Sequence, residues 1–193
     1  VNSPPQLMSD CRNVIVVGGG PAGLSAAIYS ARANLQPLVL TGIKASSQLQ
    51  STTDVENYPG FVQVLGPDLI EKMQDQAKSC GAELLFDDAI SIKLIDGKFE
   101  VETSFSGTMK ALSVIYCAGS KAKTLDVPGA KELWQKGVST CAVCDSRVAK
   151  GNDVVVVGGG DVACEEASYI TKIATKVYLV LRRDVFRASP IME

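Results

Sequence analysis

A run of four apolar residues, 14–17, leads directly into a cluster of glycines. Beyond the glycines, apolar side chains recur at the spacing of one helix face, at Leu24, Ala27, Ile28 and Ala31. A second apolar stretch follows at residues 37–41. The pattern predicts a buried strand, a glycine turn, an amphipathic helix and a further strand.

The same pattern returns 140 residues later, where residues 154–157 lead into a second glycine cluster. The apolar face of the second helix is expected at Ala163, Ala167, Ile170 and Ala174. Residues 177–181 repeat the following strand. Two such units are typical of a Rossmann-type fold. The sequence therefore predicts an α/β, three-layer protein with two Rossmann-like dinucleotide-binding domains; that the second one is incomplete is implied only by the family resemblance given below.

The stretch between the two units predicts one helix and several strands. The helix carries Leu69, Met73 and Ala77 on one face and should stop at Gly81. Strands are expected at residues 84–86, 90–95, 98–103, 108–112 and 113–117, with the last one buried and returning to the first sheet. The step from Asp96 to Gly97 suits a hairpin turn.

These elements give a predicted division into domains. Residues 1–12 are expected to be a leader, 13–120 the first domain and 121–193 the second, with residues 121–128 as the linker. The family resemblance described below assigns a cofactor to each domain.

Composition narrows the functional class. The chain has 193 residues, 46% of them hydrophobic, and a net charge of −2, which gives no electrostatic footprint for nucleic acid. No apolar run is long enough to span a bilayer, so no membrane association is expected. Six cysteines without a secretory segment indicate a reducing compartment, here the cytoplasm.

Cys141 and Cys144 form a CxxC pair followed by Asp145. Such a pair is a redox couple, half of a metal site, or two buried thiols. The chain contains no histidine, and its remaining cysteines are scattered singly, at Cys11, Cys80, Cys117 and Cys164. Because a closed zinc site needs four ligands, the ligand count disfavours a metal, and no metal site is predicted.

Each glycine turn is a candidate dinucleotide site. Glycines let the backbone approach a pyrophosphate, and the following helix N-terminus favours negative charge. The alternative is a pair of glycine turns in an ordinary α/β sheet.

The residues that follow the second strand of each unit distinguish the ligands expected at the two glycine turns. Arg182, Arg183 and Arg187 follow the last predicted strand, where guanidinium groups suit a ribose 2′-phosphate. A solvated charge cluster is the alternative. The first unit ends in Thr41 and Gly42, with neither an acid nor an arginine, so its ligand is not obviously a nicotinamide dinucleotide.

The chain contains, in this order, the first glycine turn, Gln48 with Leu49, the loop at 52–61, the CxxC with its acid, the second glycine turn and the arginines. This order of motifs resembles that of the low-molecular-weight thioredoxin reductases. The resemblance implies FAD and NADPH as cofactors, a homodimer, and thioredoxin or a similar small dithiol protein as partner. It implies that FAD contacts Gly18, Gly19, Gly20, Pro21, Ala22, Gly23, Thr41, Gly42, Gln48, Leu49, Asn57 and Gly119. It implies that NADPH contacts Gly158, Gly159, Gly160, Asp161, Val162, Ala163, Arg182, Arg183 and Arg187.

By the same resemblance, the protein is a flavin-dependent disulfide oxidoreductase that passes electrons from NADPH through FAD to the cysteine pair. Cys144 would face the flavin, Cys141 would attack the partner disulfide, and Asp145 would donate and accept protons. If the pair begins a helix, the helix dipole would favour a thiolate. The alternatives are a reductase of another dithiol protein, such as a peroxidase component, and an inactive nucleotide-binding or scaffold protein.

The sequence departs from the family pattern at several positions. Ser46 and Ser47 stand where the family has a pair of glycines, and Ser146 stands where it has another glycine. Leu181 replaces a histidine, and Val162 replaces a small hydroxyl residue. Family members also continue beyond the point that corresponds to Glu193. The expectation is a fragment or truncated form that alone holds FAD weakly or not at all and reduces no thioredoxin.

Overall fold

The computed structural model describes residues 11–43 and 47–193, so Ser46 and most of the predicted leader lie outside the described residues. The chain divides into two compact units between Lys121 and Ala122. Cys11 and Arg12, expected in the leader, instead belong to the first strand, where they pair with Lys110 and Ala111. Which cofactor each unit binds stays a prediction.

The first unit contains one six-stranded sheet. Its strands are β1 (Cys11–Val17), β2 (Leu38–Leu40), β3 (Glu83–Leu85), β4 (Ala89–Ile95), β5 (Lys98–Thr103) and β6 (Thr108–Tyr116). They lie in the order β3-β2-β1-β6-β5-β4. β1 pairs parallel with β2 and β6, whereas β4, β5 and β6 pair antiparallel. The parallel half places the carboxyl ends of β1, β2 and β6 at one edge of the sheet.

The prediction of separate strands at 108–112 and 113–117 is wrong. β6 is one strand from Thr108 to Tyr116, because it pairs with β1 on both sides of position 112, at 110–111 and at 113–116. It does return to the first sheet as expected, but it is not fully buried, since Tyr116 is 72% exposed. The predicted hairpin is present: Asp96 and Gly97 join β4 to β5 with φ angles of 49° and 74°.

Two helices, α1 (Pro21–Arg32) and α2 (Gly66–Ser79), cover one face of this sheet. The predicted helix faces are confirmed, because Leu24, Ala27, Leu69, Met73 and Ala77 are all buried in one cluster with β1 and β2. α2 stops where predicted, since Gly81 follows it with a φ of 100°.

The opposite face of the parallel strands is covered by the antiparallel strands. Ile15 and Val17 of β1 pack with Leu38 and Leu40 of β2, and with Val101 of β5. Strand packing therefore closes this side of the first unit.

The second unit contains a two-stranded parallel sheet, β7 (Asp153–Val157) and β8 (Lys176–Val180). A single-turn helix α3 (Ser146–Ala149) precedes it, and α4 (Asp161–Ile170) connects its strands. α4 buries Cys164, Ala167 and Ile170. Together, β7, α4 and β8 form the predicted second strand–turn–helix–strand unit.

Ala174, expected on the helix face, lies beyond the end of α4. The next residue explains why: the Thr175 N–H donates to the Asn152 carbonyl at 2.9 Å, which draws the chain into β8. Nowhere in the described ranges is a helix long and apolar enough to cross a membrane.

Candidate active site

The cysteine pair forms a disulfide inside a tight turn of the second unit. Cys141 and Cys144 are bonded, with their Cα atoms 5.3 Å apart. The Cys144 N–H donates to Cys141 Sγ at 3.2 Å, and the Asp145 N–H donates to the Cys141 carbonyl at 3.2 Å. The turn thus aims one backbone donor at a sulfur, where it stabilises negative charge.

The pair does not begin a helix, so the condition under which a helix dipole would favour a thiolate is not met. α3 starts at Ser146, after both sulfurs, and has only four residues. Asp145 stands at the position that precedes the helix. A thiolate at this pair is therefore stabilised by the turn and its neighbouring side chains, because a helix dipole acts within the first turn of its own helix.

Ser139 fixes the turn from the N-terminal side, and the sequence interpretation missed it. Its hydroxyl donates to the Asp145 carboxylate and accepts the Cys141 N–H at 3.0 Å. A serine two residues before a turn is a known local signal, because its hydroxyl reaches nearby backbone donors. Ser139 thereby holds the acid and the first cysteine in one local arrangement.

Glu166 fixes the turn from α4, and it was also missed. Its carboxylate accepts the N–H of Ala142, between the two cysteines. The two residues are 24 positions apart, so no local sequence signal indicates the contact.

The first glycine turn is shaped by close backbone contacts. Gly18 has a φ of 119°, and its N–H donates to the Leu40 carbonyl at 2.9 Å. A Cβ at Gly18 would lie 2.1 Å from the Cys117 oxygen, and one at Gly23 would lie 1.9 Å from the Gly18 oxygen. Protein packing alone therefore requires glycine at both positions.

Three further contacts involve residues that are predicted to bind FAD. Gly19 is held against Thr41, Gly20 faces Ser47, and Gln48 donates through Nε2 to the Ser120 carbonyl at 2.9 Å, next to Gly119. These residues meet at the carboxyl ends of β1, β2 and β6.

The remaining residues predicted to bind FAD either make contacts within the protein or lie in an exposed loop. The Thr41 hydroxyl donates to the Leu85 carbonyl at 3.2 Å, and the Gly42 N–H donates to the Asp87 carbonyl at 3.0 Å. Leu49 packs against the main core of the first unit. Asn57 is an exposed loop residue.

The edge around Gly20 fits a diphosphate. Gly20 precedes α1 without a side-chain cap, and Pro21 opens the helix, with Ala22 after it. The Ser47 hydroxyl oxygen is buried and has no hydrogen-bond partner. A Cβ at Gly20 would lie 3.2 Å from the Ser47 Cβ, so this unpaired hydroxyl group stands beside the helix N-terminus. A helix start with free polar groups is a favourable place for phosphate.

The second glycine turn repeats this geometry. Gly158 has a φ of 148°, its N–H donates to the Val180 carbonyl at 3.0 Å, and a Cβ there would lie 2.9 Å from the Ala163 Cβ. A Cβ at Gly159 would meet Leu181, whereas one at Gly160 would meet open space. Gly160 is therefore where a ligand has room to approach the backbone.

The segment after β8 folds back onto this turn. The Arg187 N–H donates to the Gly159 carbonyl at 2.6 Å. Asp161 accepts the Ser189 N–H at 2.6 Å and the Ser189 hydroxyl at 2.9 Å, and these bonds lower the pKa of Asp161. Arg182, Arg183 and Arg187 are exposed, and so is Val162 at 67%. The arginines thus stand on a segment that is attached to the glycine turn.

Within the described part of the chain, no group of three or more cysteine, aspartate or glutamate side chains is arranged to hold a metal ion. The disulfide and the two glycine turns are the features that carry chemistry.

Comparison with known proteins identifies the class. The family model for pyridine nucleotide-disulphide oxidoreductases matches residues 12–192, and the chain belongs to that family. The fold agrees with the α/β, Rossmann-like FAD- and NAD(P)-binding structures of its relatives. Thioredoxin reductases of this family use FAD and NADPH.

Within the family, the chain is similar to thioredoxin reductases. It is 55% identical to the thioredoxin reductase of Spironucleus barkhanus over 93% of this chain and 59% of the relative. It is 48% identical to that of Bacillus subtilis over 94% of this chain and 57% of the relative. The solved thioredoxin reductase of Giardia duodenalis matches with a TM-score of 0.86 at 55% identity, covering 93% of this chain and 59% of that one. The chain therefore spans somewhat more than half the length of these relatives.

Proposed function

We propose that this chain carries the redox disulfide of an NADPH-dependent thioredoxin reductase. The observation that supports this most strongly is the Cys141–Cys144 disulfide with Asp145 beside it. The same compact unit holds a glycine turn to which residues 181–189, the arginine segment, are attached. The similarity to thioredoxin reductases agrees with this combination.

The turn gives the two sulfurs different roles. Cys141 Sγ accepts the Cys144 N–H, so negative charge on Cys141 is stabilised by a backbone donor. Cys141 is therefore the sulfur that attacks the disulfide of the partner protein, and the family resemblance assigns Cys144 to the flavin. This assignment agrees with the roles that the family resemblance implies.

Asp145 is the group that moves protons to and from the thiols. Its carboxylate is held by the Ser139 hydroxyl, and its backbone N–H is held by the Cys141 carbonyl. An acid fixed beside a cysteine pair is positioned for general acid and base catalysis.

The two glycine turns would hold the cofactors. Gly20, Ala22 and the Ser47 hydroxyl would bind the FAD diphosphate, and Gly160 with the arginine segment would bind NADPH. Arg182, Arg183 and Arg187 would contact the 2′-phosphate, since guanidinium groups match a phosphate dianion. When bound, NADPH supplies a hydride and FAD passes its electrons on to the disulfide.

The partners and the location follow from the same proposal. Thioredoxin is the disulfide substrate, a second copy of the chain completes a homodimer, and the protein works in the reducing cytoplasm. Outside the Cys141–Cys144 pair, the cysteines of the described residues form no disulfide, which is consistent with that compartment; they are Cys11, Cys80, Cys117 and Cys164.

The test is NADPH-dependent reduction of thioredoxin by the protein expressed from its complete reading frame. The proposal predicts a flavin absorbance spectrum and turnover that needs both cysteines. A flavin-free protein without turnover would support a nucleotide-binding or scaffold role instead. A protein that reduces a different dithiol protein but not thioredoxin would keep the chemistry and change the partner.

A further inference from the structure

Glu166 contacts the disulfide turn from a separate element. It stands on α4, and its carboxylate accepts the N–H of Ala142, the residue directly after Cys141. We propose that Glu166 is a positioning residue that sets the redox equilibrium of the Cys141–Cys144 disulfide and favours the oxidised form. The inference rests on the proposed function only in treating this disulfide as redox-active.

The position of Glu166 is fixed by packing. Cys164 and Ala167, two residues before it and one after it, are buried, and so is Ile170 near the end of α4. The side chain of Glu166 is itself half-buried. A carboxylate on an anchored helix that accepts a backbone N–H makes a charge-assisted bond, which is stronger than a neutral one.

The contact determines which acceptors the backbone N–H groups of the turn bind. The Cys144 N–H reaches Cys141 Sγ, where it stabilises a thiolate. The Ala142 N–H points instead to Glu166, so this donor is withheld from the sulfurs. Glu166 also brings a negative charge next to the pair.

The electron balance shows which form this arrangement favours. When a small dithiol reduces the protein, the S–S bond breaks, and two electrons and two protons pass from the dithiol to Cys141 and Cys144. The dithiol closes into its own disulfide. A redox-active pair carries thiolate character on one sulfur when reduced. The charge of Glu166 repels that thiolate, whereas the neutral disulfide is unaffected, so Glu166 disfavours reduction.

The experiment measures the reduced fraction of the pair at equilibrium. The full chain is incubated in buffers with fixed ratios of dithiothreitol to its oxidised form, alkylated, and analysed by mass spectrometry at Cys141 and Cys144. Glu166→Gln keeps an acceptor for Ala142 and removes the charge, whereas Glu166→Ala removes both. Glu165→Gln removes a charge from the exposed neighbour on the same helix and is the matched control.

The expected result is a disulfide that is easier to reduce in Glu166→Gln, with an equilibrium constant for reduction at least about threefold higher than in the wild type. Glu166→Ala should shift at least as far, and Glu165→Gln should match the wild type. A purely structural role would leave Glu166→Gln unchanged, because its hydrogen bond is kept. Equal equilibrium constants in Glu166→Gln and the wild type would overturn the inference while leaving the proposed function intact.

The wild-type protein in the same dithiol buffers tests the premise of the inference. A wild-type pair that does not respond to the dithiol buffers contradicts both this inference and the proposed redox role.

Discussion

Asp161 and Ser189 are joined by two hydrogen bonds, from the Ser189 N–H at 2.6 Å and from its hydroxyl at 2.9 Å. Asp161 is the first residue of α4, directly after the second glycine turn, and Ser189 lies at the end of the arginine segment. The pair therefore attaches the arginines to the turn where NADPH is proposed to bind. The contact is local to the second unit, so it is testable in the chain by itself.

Ser189→Ala should loosen the arginine segment. The change removes the hydroxyl bond to Asp161 but keeps the backbone bond. The arginine segment should therefore detach from the glycine turn more often while the second unit stays folded. Trypsin cleaves after arginine, so cleavage after Arg182, Arg183 and Arg187 should become severalfold faster. Ser168→Ala, an exposed serine on α4, is the control. Cleavage at the wild-type rate in Ser189→Ala would show that the hydroxyl does not hold the segment.

Arg182→Ala should weaken NADPH binding and leave NADH binding nearly unchanged. Losing a hydrogen bond to a charged group costs about 1.5–3 kcal/mol, so at least a severalfold loss is expected when the 2′-phosphate is present. Calorimetric titration of both nucleotides measures the difference, with Lys172→Ala as a control for general charge. Equal losses for the two nucleotides would show that Arg182 does not read the 2′-phosphate.

Asp87 makes the first unit sensitive to acid. It is fully buried between strands, and burial alone would raise its pKa. The hydrogen bonds of Ser106, Thr103 and Asp88 outweigh burial and lower the pKa from 3.8 to about 2. Because the folded-state pKa is depressed, the carboxylate stabilises the fold above pH 3.8, and this stabilisation is lost as the pH falls toward 2.

Asp87→Asn should therefore be less stable than the wild type at neutral pH and should lose less stability on acidification. Urea unfolding at a series of pH values measures both effects. Asp96→Asn, in the exposed hairpin turn, is the matched control, because asparagine tolerates its positive φ. A parallel loss of stability in Asp87→Asn and the wild type between pH 3.8 and 2 would contradict this role.

Ser139→Ala should slow disulfide exchange at the redox turn. Without the hydroxyl, the Asp145 carboxylate loses the group that holds it and the Cys141 N–H loses its acceptor. Proton transfer to the thiols should become less efficient, because it needs a fixed acid. Stopped-flow reduction by a dithiol measures the rate, and Ser146→Ala controls for loss of a neighbouring hydroxyl. An unchanged rate in Ser139→Ala would remove Ser139 from the mechanism.

The two strand–turn–helix–strand units were predictable from sequence because their signals are local. Gly18 and Gly158 each follow an apolar strand directly, and the helix face after Gly18 repeats within one helix. The same locality explains the correct hairpin at Asp96 and the helix stop at Gly81.

The errors and omissions depend on pairing between distant residues. β6 continues through position 112 because it pairs with β1, nearly 100 residues earlier, and no local pattern shows this. Glu166 reaches Ala142 only because α4 packs where it does.

The central claim is that electrons from NADPH leave the protein through the Cys141–Cys144 disulfide. The most direct measurement compares NADPH-dependent thioredoxin reduction by the wild-type protein and by Cys141→Ser, both expressed from the complete reading frame and both checked for bound flavin. We predict turnover in the wild type, and loss of turnover with flavin retained in Cys141→Ser. Thioredoxin reduction by Cys141→Ser at the wild-type rate would contradict the account.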